Sequence, residues 1–332
     1  MSLGIRRSLA FAAVLAAGGA GAAAQLGSAS ARSAAPDPSS GARGARSARA
    51  APLSMPEPAT PSASATPAAP DPPAPEAPAL PPGLTARAVD TPDLTQTDAA
   101  LGLPGNGNSY CGPVAVSNSL MWLAANGYPL LAPDGETPRE QQVELVRLIS
   151  SQKYMATGPR SGTGPMGLMH GLDRYVRRAG YVVTRLEYEG WRQHPYEFTR
   201  HEPHPNLEWI ASGLGPRGAA FVHVGWYAPS PHAEAYRRKG GHWLSVVAAG
   251  KDEAGSDAPD VLVLHDPAPY QDGGPKSVFA RARRIEGGWM LDGKAAFPAK
   301  GYYELTGGMA LKEAGEVAII DGAVVLELAP PS

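Results

Sequence analysis

The sequence is short of cysteine and of charge, and each shortage excludes something. A single cysteine in 332 residues cannot form an intramolecular disulfide, so the fold must be stabilised by its packed core. The net charge of −2 provides neither the basic footprint of a nucleic-acid-binding protein nor an acidic tail. No segment is a confident membrane span by length and hydropathy. We therefore expect no nucleic-acid partner and no stable membrane insertion, and the composition leaves the oligomeric state open.

The N-terminus, residues 1–24, has the pattern of an export signal. Arg6 and Arg7 form a positively charged start, Leu9–Ala17 form a short apolar core, and small residues suit cleavage after Ala24. An uncleaved anchor is the alternative, and the paired arginines also resemble part of a twin-arginine signal. We expect an exported protein, periplasmic or extracellular, with tethering to the envelope as an open option.

Residues 25–90 are rich in Pro, Ala, Ser and Gly and contain few large apolar side chains. Such a composition buries too little to fold and predicts an extended or disordered linker. The linker could be a stalk that holds a catalytic domain away from a surface, or a passive leader. In an exported protein the lone cysteine is then an inert core residue, an intermolecular link or a reactive thiol.

The folded part is predicted to be a single domain, residues 91–332, of the α+β class with a mainly antiparallel sheet. Its first half has helical periodicity, and its second half has short apolar runs bounded by Gly, Pro and Asp. Predicted helices cover residues 112–126, a segment capped by Thr137 with Pro138 at its first position, and a segment that stops at Gly180. Predicted strands cover residues 181–188, 218–227, 242–250, 260–267, 301–307 and 316–328. The segment 226–241 could be a flap or an ordinary surface loop.

Cys111 stands where the glycine-rich stretch GNGNSY gives way to a helical pattern. A helix N-terminus favours the thiolate, which is the nucleophilic form, and Gly112 leaves room for a substrate backbone. The Cys111 N–H is one candidate donor to an oxyanion, and Asn106 or Asn108 could supply the second, with Gln96 further away. The alternative is that Cys111 is a small buried hydrophobe.

A nucleophilic cysteine needs a base and a group that orients the base. His242 follows two glycines at the predicted mouth of a buried strand, and Asp266 ends the next strand. Neighbouring antiparallel strands would bring the two together, so that the carboxylate fixes the imidazole tautomer. His265 should point to the opposite face of its strand. His223 is interpreted as a satisfied sheet residue.

The remaining histidines offer weaker sites. Residues 194–204 contain His194, His201 and His204 in a Pro-broken polar stretch, but no further ligand falls at a recognised metal-binding spacing. No metal is predicted there.

With Cys111 in YCGPVAVSNSL, His242 in GGHWLSVVAAG and Asp266 in LHDPAP, the chain resembles the papain-like cysteine peptidases of family 39, the bacteriocin-processing group. It is most similar to the members of that group found outside exporters, over residues 91–270. The segments GTGPMGLMHGLDRYVRRAGY and PRGAAFVHVGWY add to the resemblance.

The resemblance implies a papain-like fold in which Cys111 is the nucleophile, His242 the base and Asp266 the orienting residue. It implies a peptide or protein substrate, cleaved through an acyl-thioester without metal or organic cofactor. The family's glutamine a few residues before the cysteine is absent, so either Asn106 or Asn108 replaces it or the oxyanion hole is incomplete. Transporter and ATPase domains are also absent, so processing of bacteriocin leaders is not expected. A non-catalytic binding domain and an acyl- or amidotransferase remain alternatives.

Overall fold

The computed structural model describes residues 80–270, 274–309 and 311–330. The predicted export signal and residues 25–79 of the predicted linker lie outside them. The α-helices are α1 Ala86–Asp90, α2 Cys111–Ala125, α3 Pro138–Ser150, α4 Pro165–Arg178 and α5 Leu207–Ser212. The strands are β1 Val182–Gly190, β2 Gly218–Ser230, β3 Ala235–Lys251, β4 Asp257–His265, β5 Val278–Arg284, β6 Trp289–Asp292, β7 Ala295–Pro298, β8 Tyr303–Thr306 and β9 Val317–Ala329.

Most of the strands belong to a closed structure. Within the described residues β2, β3, β4, β5, β8 and β9 each pair antiparallel with the next, and β9 pairs back with β2. Alternate residues of these strands, including Val222, Leu244 and Leu262, form an interior core to which Trp209 and Ile210 of α5 contribute. The predicted mixture of helices with a mainly antiparallel sheet is confirmed, with a parallel contact between β3 and β6 as an exception.

Helices α2, α3 and α4 cover part of the outer face of this barrel. The central helix is α2, and every residue from Cys111 to Leu123 is buried. The sequence predicted a single apolar face, whereas α2 packs against both the other helices and β3. The helix α2 thus has no exposed face, and its buried Ser117 and Asn118 form hydrogen bonds within the core.

The ends of α3 and α4 follow their sequence signals. Thr137 caps α3 and Pro138 takes its first position, as predicted, and Glu140 adds the second half of a reciprocal capping box. After α4 the chain turns at Gly180, whose φ of +90° strains any other residue type. Both boundaries were therefore readable from local chemistry.

The predicted boundary at residue 90 is wrong in one respect, because α1 belongs to the fold. Arg87 is 8% exposed, donates hydrogen bonds to the carbonyl oxygens of Gly215 and Gly218, and lies 4.1 Å over the ring of Trp122. Burial lowers its pKa to about 10, so it stays charged at neutral pH. The composition predicted that α1 belongs to the linker, because the sequence does not distinguish a buried arginine from an exposed one.

The segment that could have been a flap or a loop is a hairpin. The outer ends of β2 and β3 pair from Trp226↔Gly240 to Ser230↔Ala235, beyond the barrel. The β6–β7 hairpin lies against this arm through the parallel pairing of β3 with β6. The strand that carries His242 therefore starts seven residues earlier than predicted.

Replacing Arg87 with Met should lower the free energy of unfolding by about 2 kcal/mol, because two buried carbonyls lose a charged donor while the apolar stem remains. Thermal unfolding of the full chain measures this. The matched control is Arg178→Met, which removes an exposed arginine at the end of α4. Equal stability of the two variants would contradict the proposed anchoring of α1.

Candidate active site

Cys111 is the first residue of α2, and its side chain lies under the cleft that the helix start forms with β3. Cys111 is 8% exposed, and the N-cap residue, Tyr110, makes no side-chain capping bond. Unpaired N–H groups of the first helical turn therefore surround the sulfur with partial positive charge. A Cβ on Gly112 would lie 3.0 Å from the Cβ of Thr163 and 3.3 Å from the ring of Trp243. Only glycine lets the helix start approach β3 this closely.

The loop before Cys111 is held by left-handed backbone. Gly105, Asn106 and Gly107 have φ values of 62°, 53° and 74°. A Cβ on Gly107 would lie 1.8 Å from the carbonyl oxygen of Gln96. The glycine thus permits the Gln96 segment to pack directly against the loop that leads to the cysteine.

His242 lies within β3 at the point where the strand becomes continuously buried. It is 7% exposed, and its ring stacks on Trp226 with 5.8 Å between centroids. The neighbouring Trp243 faces the helices, donating from its ring nitrogen to the carbonyl of Thr163 at 2.7 Å. The position of the imidazole is therefore restrained by Trp226 of β2 and by the buried strand β3 that carries it.

Asp266 follows β4 directly and meets His242 as the strand order predicted. Its Oδ1 lies 2.6 Å from Nε2 of His242 and accepts a hydrogen bond from the N–H of Ala268 at 2.8 Å. The competing His265 contacts the carbonyl of Pro92 and the hydroxyl of Ser277 instead. Because Asp266 occupies Nε2, the free nitrogen of His242 that can serve Cys111 is Nδ1.

The charges of these three residues are strongly coupled. Burial opposes ionisation of Cys111, but the charge of His242, a hydrogen bond to it, and the N–H groups of Trp243 and Gly112 lower the thiol pKa below its ordinary value. Burial opposes protonation of His242, but the charges of Asp266 and Cys111 raise its pKa well above the usual range. Both shifts favour the thiolate–imidazolium form of the Cys111–His242 pair.

A cleft of about 690 Å³ opens over this pair and tests the predicted oxyanion donors. Asn108 lines the cleft, but Asn106 is exposed and lies outside it. Gln96, fifteen positions before the cysteine, lines the cleft too, is 6% exposed, and its Oε1 has no hydrogen-bond partner among the described residues. Because Oε1 is an acceptor, the donor that Gln96 can offer to an oxyanion in the cleft is its Nε2 amino group. Gln96 thus brings a side-chain amide to the cleft, although no glutamine stands in the positions just before Cys111.

A second His–Asp pair, which sequence reasoning missed, borders the same cleft. Nδ1 of His223 lies 2.5 Å from Oδ1 of Asp321, whose Oδ2 accepts from Arg238 at 2.8 Å and from Tyr227 at 3.1 Å. Burial raises the pKa of Asp321, but His223 and Arg238 lower it to about 2, so it is ionised. His223 is a satisfied sheet residue, as interpreted, and it also lines the cleft. The available signal was a lone Asp inside the apolar run EVAIIDGAVV.

The histidine-rich segment does not converge. His194 packs on Tyr188, His201 on Tyr196 and His204 on Tyr302. Within the part of the chain that the structure describes, no three His, Cys, Asp or Glu side chains are grouped to hold a metal ion. The same residues include no helix long and apolar enough to cross a bilayer.

Cys111 should react with iodoacetamide at pH values below the ordinary thiol range, because its thiolate persists when the pKa is lowered. His242→Ala removes the charge and the hydrogen bond that lower the thiol pKa, so that only the N–H groups of Trp243 and Gly112 oppose burial, and should move the reactivity to higher pH, with Asp266→Asn in between. Labelling rates measured by mass spectrometry as a function of pH test this. Slow labelling that is indifferent to the His242 substitution would contradict the ion pair.

The geometry has no support from similarity to known proteins. No family model matches the chain, and no curated protein or solved structure matches it. The resemblance to the family 39 cysteine peptidases therefore stays a prediction from the residues, and the site rests on its own contacts.

Proposed function

We propose that the protein is an exported cysteine peptidase of papain-like type, which cleaves amide bonds with Cys111, His242 and Asp266. The observation that carries the proposal is the buried line of thiol, imidazole and carboxylate at the head of α2, open to a cleft on one side. A structural cysteine needs neither a charged histidine nor access to a cleft. Because Cys111 has both a charged histidine beside it and access to a cleft, it is better explained as a nucleophile.

In the first step the Cys111 thiolate attacks the carbonyl carbon of a bound peptide, while the proton stays on Nδ1 of His242. A C–S bond forms, and the carbonyl π electrons move to oxygen. The negative oxygen would be held by the N–H of Cys111 and the side-chain amide of Gln96. Asp266 keeps the imidazole in the orientation that points Nδ1 at the reaction.

Collapse of this intermediate breaks the C–N bond, and His242 gives its Nδ1 proton to the departing amine. The product is a thioester on Cys111 and a neutral imidazole. Water then attacks the thioester, with His242 accepting one proton from it. The C–S bond breaks, the acid leaves, and the thiolate–imidazolium pair is restored. No metal or redox cofactor is required for this sequence.

The proposal predicts that the protein cleaves members of a mixed peptide pool, and that Cys111→Ala abolishes cleavage. Mass spectrometry of the products locates the cut bonds, and rapid acid quenching of the wild type should trap a Cys111 acyl adduct. The wild type could label rapidly at Cys111 and yet hydrolyse no peptide, with or without added amine acceptors. That result would contradict the peptidase proposal and favour the non-catalytic binding domain. Products joined to the added amine would indicate a transferase.

Gln96→Ala should lower kcat by about 10² to 10³, with little change in KM, because the oxyanion develops only after attack. Asn108→Ala and Asn106→Gly are the controls, since glycine preserves the left-handed backbone at residue 106. Steady-state kinetics on a peptide from the pool measure all three. A larger loss in the Asn108 variant than in the Gln96 variant would transfer the donor role to Asn108.

A further inference from the structure

The lining of the cleft over Cys111 includes five basic side chains and no carboxylate among the described residues. Its basic lining consists of Arg160, Arg192, Arg238, Lys239 and Lys312. Ion pairs compensate Arg192 through Asp292 and Arg238 through Asp321, whereas the other three form none with the described residues. Even with the net negative charge of the catalytic group, positive charge remains in excess, in a chain that is weakly acidic overall.

Arg238 is fixed in place beneath the surface of this cleft. Its side chain is 10% exposed, and its Nε donates to Asp321, which is completely buried. Its Nη2 lies 2.2 Å from the point where a Cβ on Gly241 would stand, so the guanidinium crosses the backbone one residue before His242. With Nε engaged, the Nη groups are the part of the fork left for a ligand. The guanidinium of Arg238 therefore lies against Gly241, the residue that precedes His242.

Arg192 supplies a second, independent sign of a missing acceptor. Its Nη1 pairs with Asp292, and the guanidinium lies 4.9 Å from the ring of Trp191. Its Nε is buried and has no hydrogen-bond partner among the described residues. A buried donor on a charged group seldom stays unpaired, because burial without an acceptor costs free energy. Arg192 also lines the cleft, so an anion bound there would lie beside a guanidinium whose hydrogen bonds are incomplete.

We propose that Arg238 and Arg192 form a carboxylate-binding subsite beside Cys111, so that the substrate is a peptide with a carboxylate close to the cleaved bond. The inference rests on the proposed function. The planar guanidinium groups match the two oxygens of a carboxylate, and Lys239 at the rim attracts the acidic peptide from solution. The carboxylate is either an Asp or Glu side chain or the free C-terminus of the peptide, and both have the same recognition chemistry.

Binding to the Cys111→Ala protein tests the subsite without turnover. Peptide pools randomised without Asp or Glu and labelled with an uncharged BODIPY dye are compared by anisotropy: one with a central Glu and an amidated C-terminus, one with a central Gln and a free C-terminal carboxylate, and one with a central Gln and an amidated C-terminus. The pool with the recognised carboxylate should bind about tenfold more tightly than the pool with neither, and salt should weaken the preference. Whichever carboxylate pool gains affinity identifies the source.

Arg192→Gln and the double variant Arg238→Gln, Asp321→Asn should each remove most of that preference. The double variant removes both charges of the buried pair, so Asp321 is not left uncompensated, and circular dichroism checks that it folds. Arg178→Gln is the matched control, because it removes an exposed arginine outside the cleft. Equal binding of all pools, or a preference that survives in both cleft variants, would overturn the subsite. An equal loss in the Arg178 variant would also overturn it, since overall charge would then explain the effect.

Turnover by the wild type separates this inference from the peptidase proposal. Carboxylate-dependent binding without cleavage would refute the peptidase and keep the subsite. Cleavage with the same kcat/KM for all pools would keep the peptidase and refute the subsite.

Discussion

The contact between the head of α2 and strand β3 determines both the fold and the site. Ser245 donates to the carbonyl of Ala115 inside the helix at 2.6 Å, and the ring of Trp243 reaches the carbonyl of Thr163. These bonds lie on the helix-facing side of β3, while His242 points to the other side. The strand β3 therefore binds the helical layer with Trp243 and Ser245 and brings His242 to Cys111, the first residue of α2.

The polar groups around the cleft differ in how many hydrogen-bond partners they have, and this difference determines its electrostatics. Asp321 is fully buried and has three partners, so it acts as a fixed anchor for Arg238 and His223. Gln96 and Arg192 each keep a buried polar atom without a partner among the described residues. Networks with every group paired rigidify a structure, whereas unpaired buried groups gain when a ligand arrives. The fully paired network around Asp321 and the unpaired groups of Gln96 and Arg192 therefore lie close together at this cleft.

Local chemistry made much of this structure predictable. The N-cap at Thr137, the stop at Gly180 and the apolar runs of β2, β4 and β9 depend on neighbours in sequence, and each is found where expected. His242 and Asp266 were also accessible, because a short connection between antiparallel strands brings their ends together. The strands β5, β6 and β7 were not predicted, since they are short or rich in Ala and charged residues and depend on pairing partners.

The rest depends on contacts that no local pattern encodes. Gln96 reaches the cleft because Gly107 lets two backbone segments touch, which a search of the positions just before Cys111 cannot reveal. The His223–Asp321 pair joins residues 98 positions apart through the closure of the barrel. Arg87 shows the same limit, since only its two distant carbonyl partners distinguish it from a linker arginine.

The solitary cysteine also determines how this site responds to oxidants. A thiolate stabilised by His242 is the form that peroxides attack, and the first product is a sulfenic acid. Most redox-tolerant thiol proteins recover from this state through a second cysteine that forms a disulfide. Cys111 has no such partner in its own chain. Its recovery depends on an external thiol small enough to enter the cleft, and without one the oxidation proceeds to the irreversible acids.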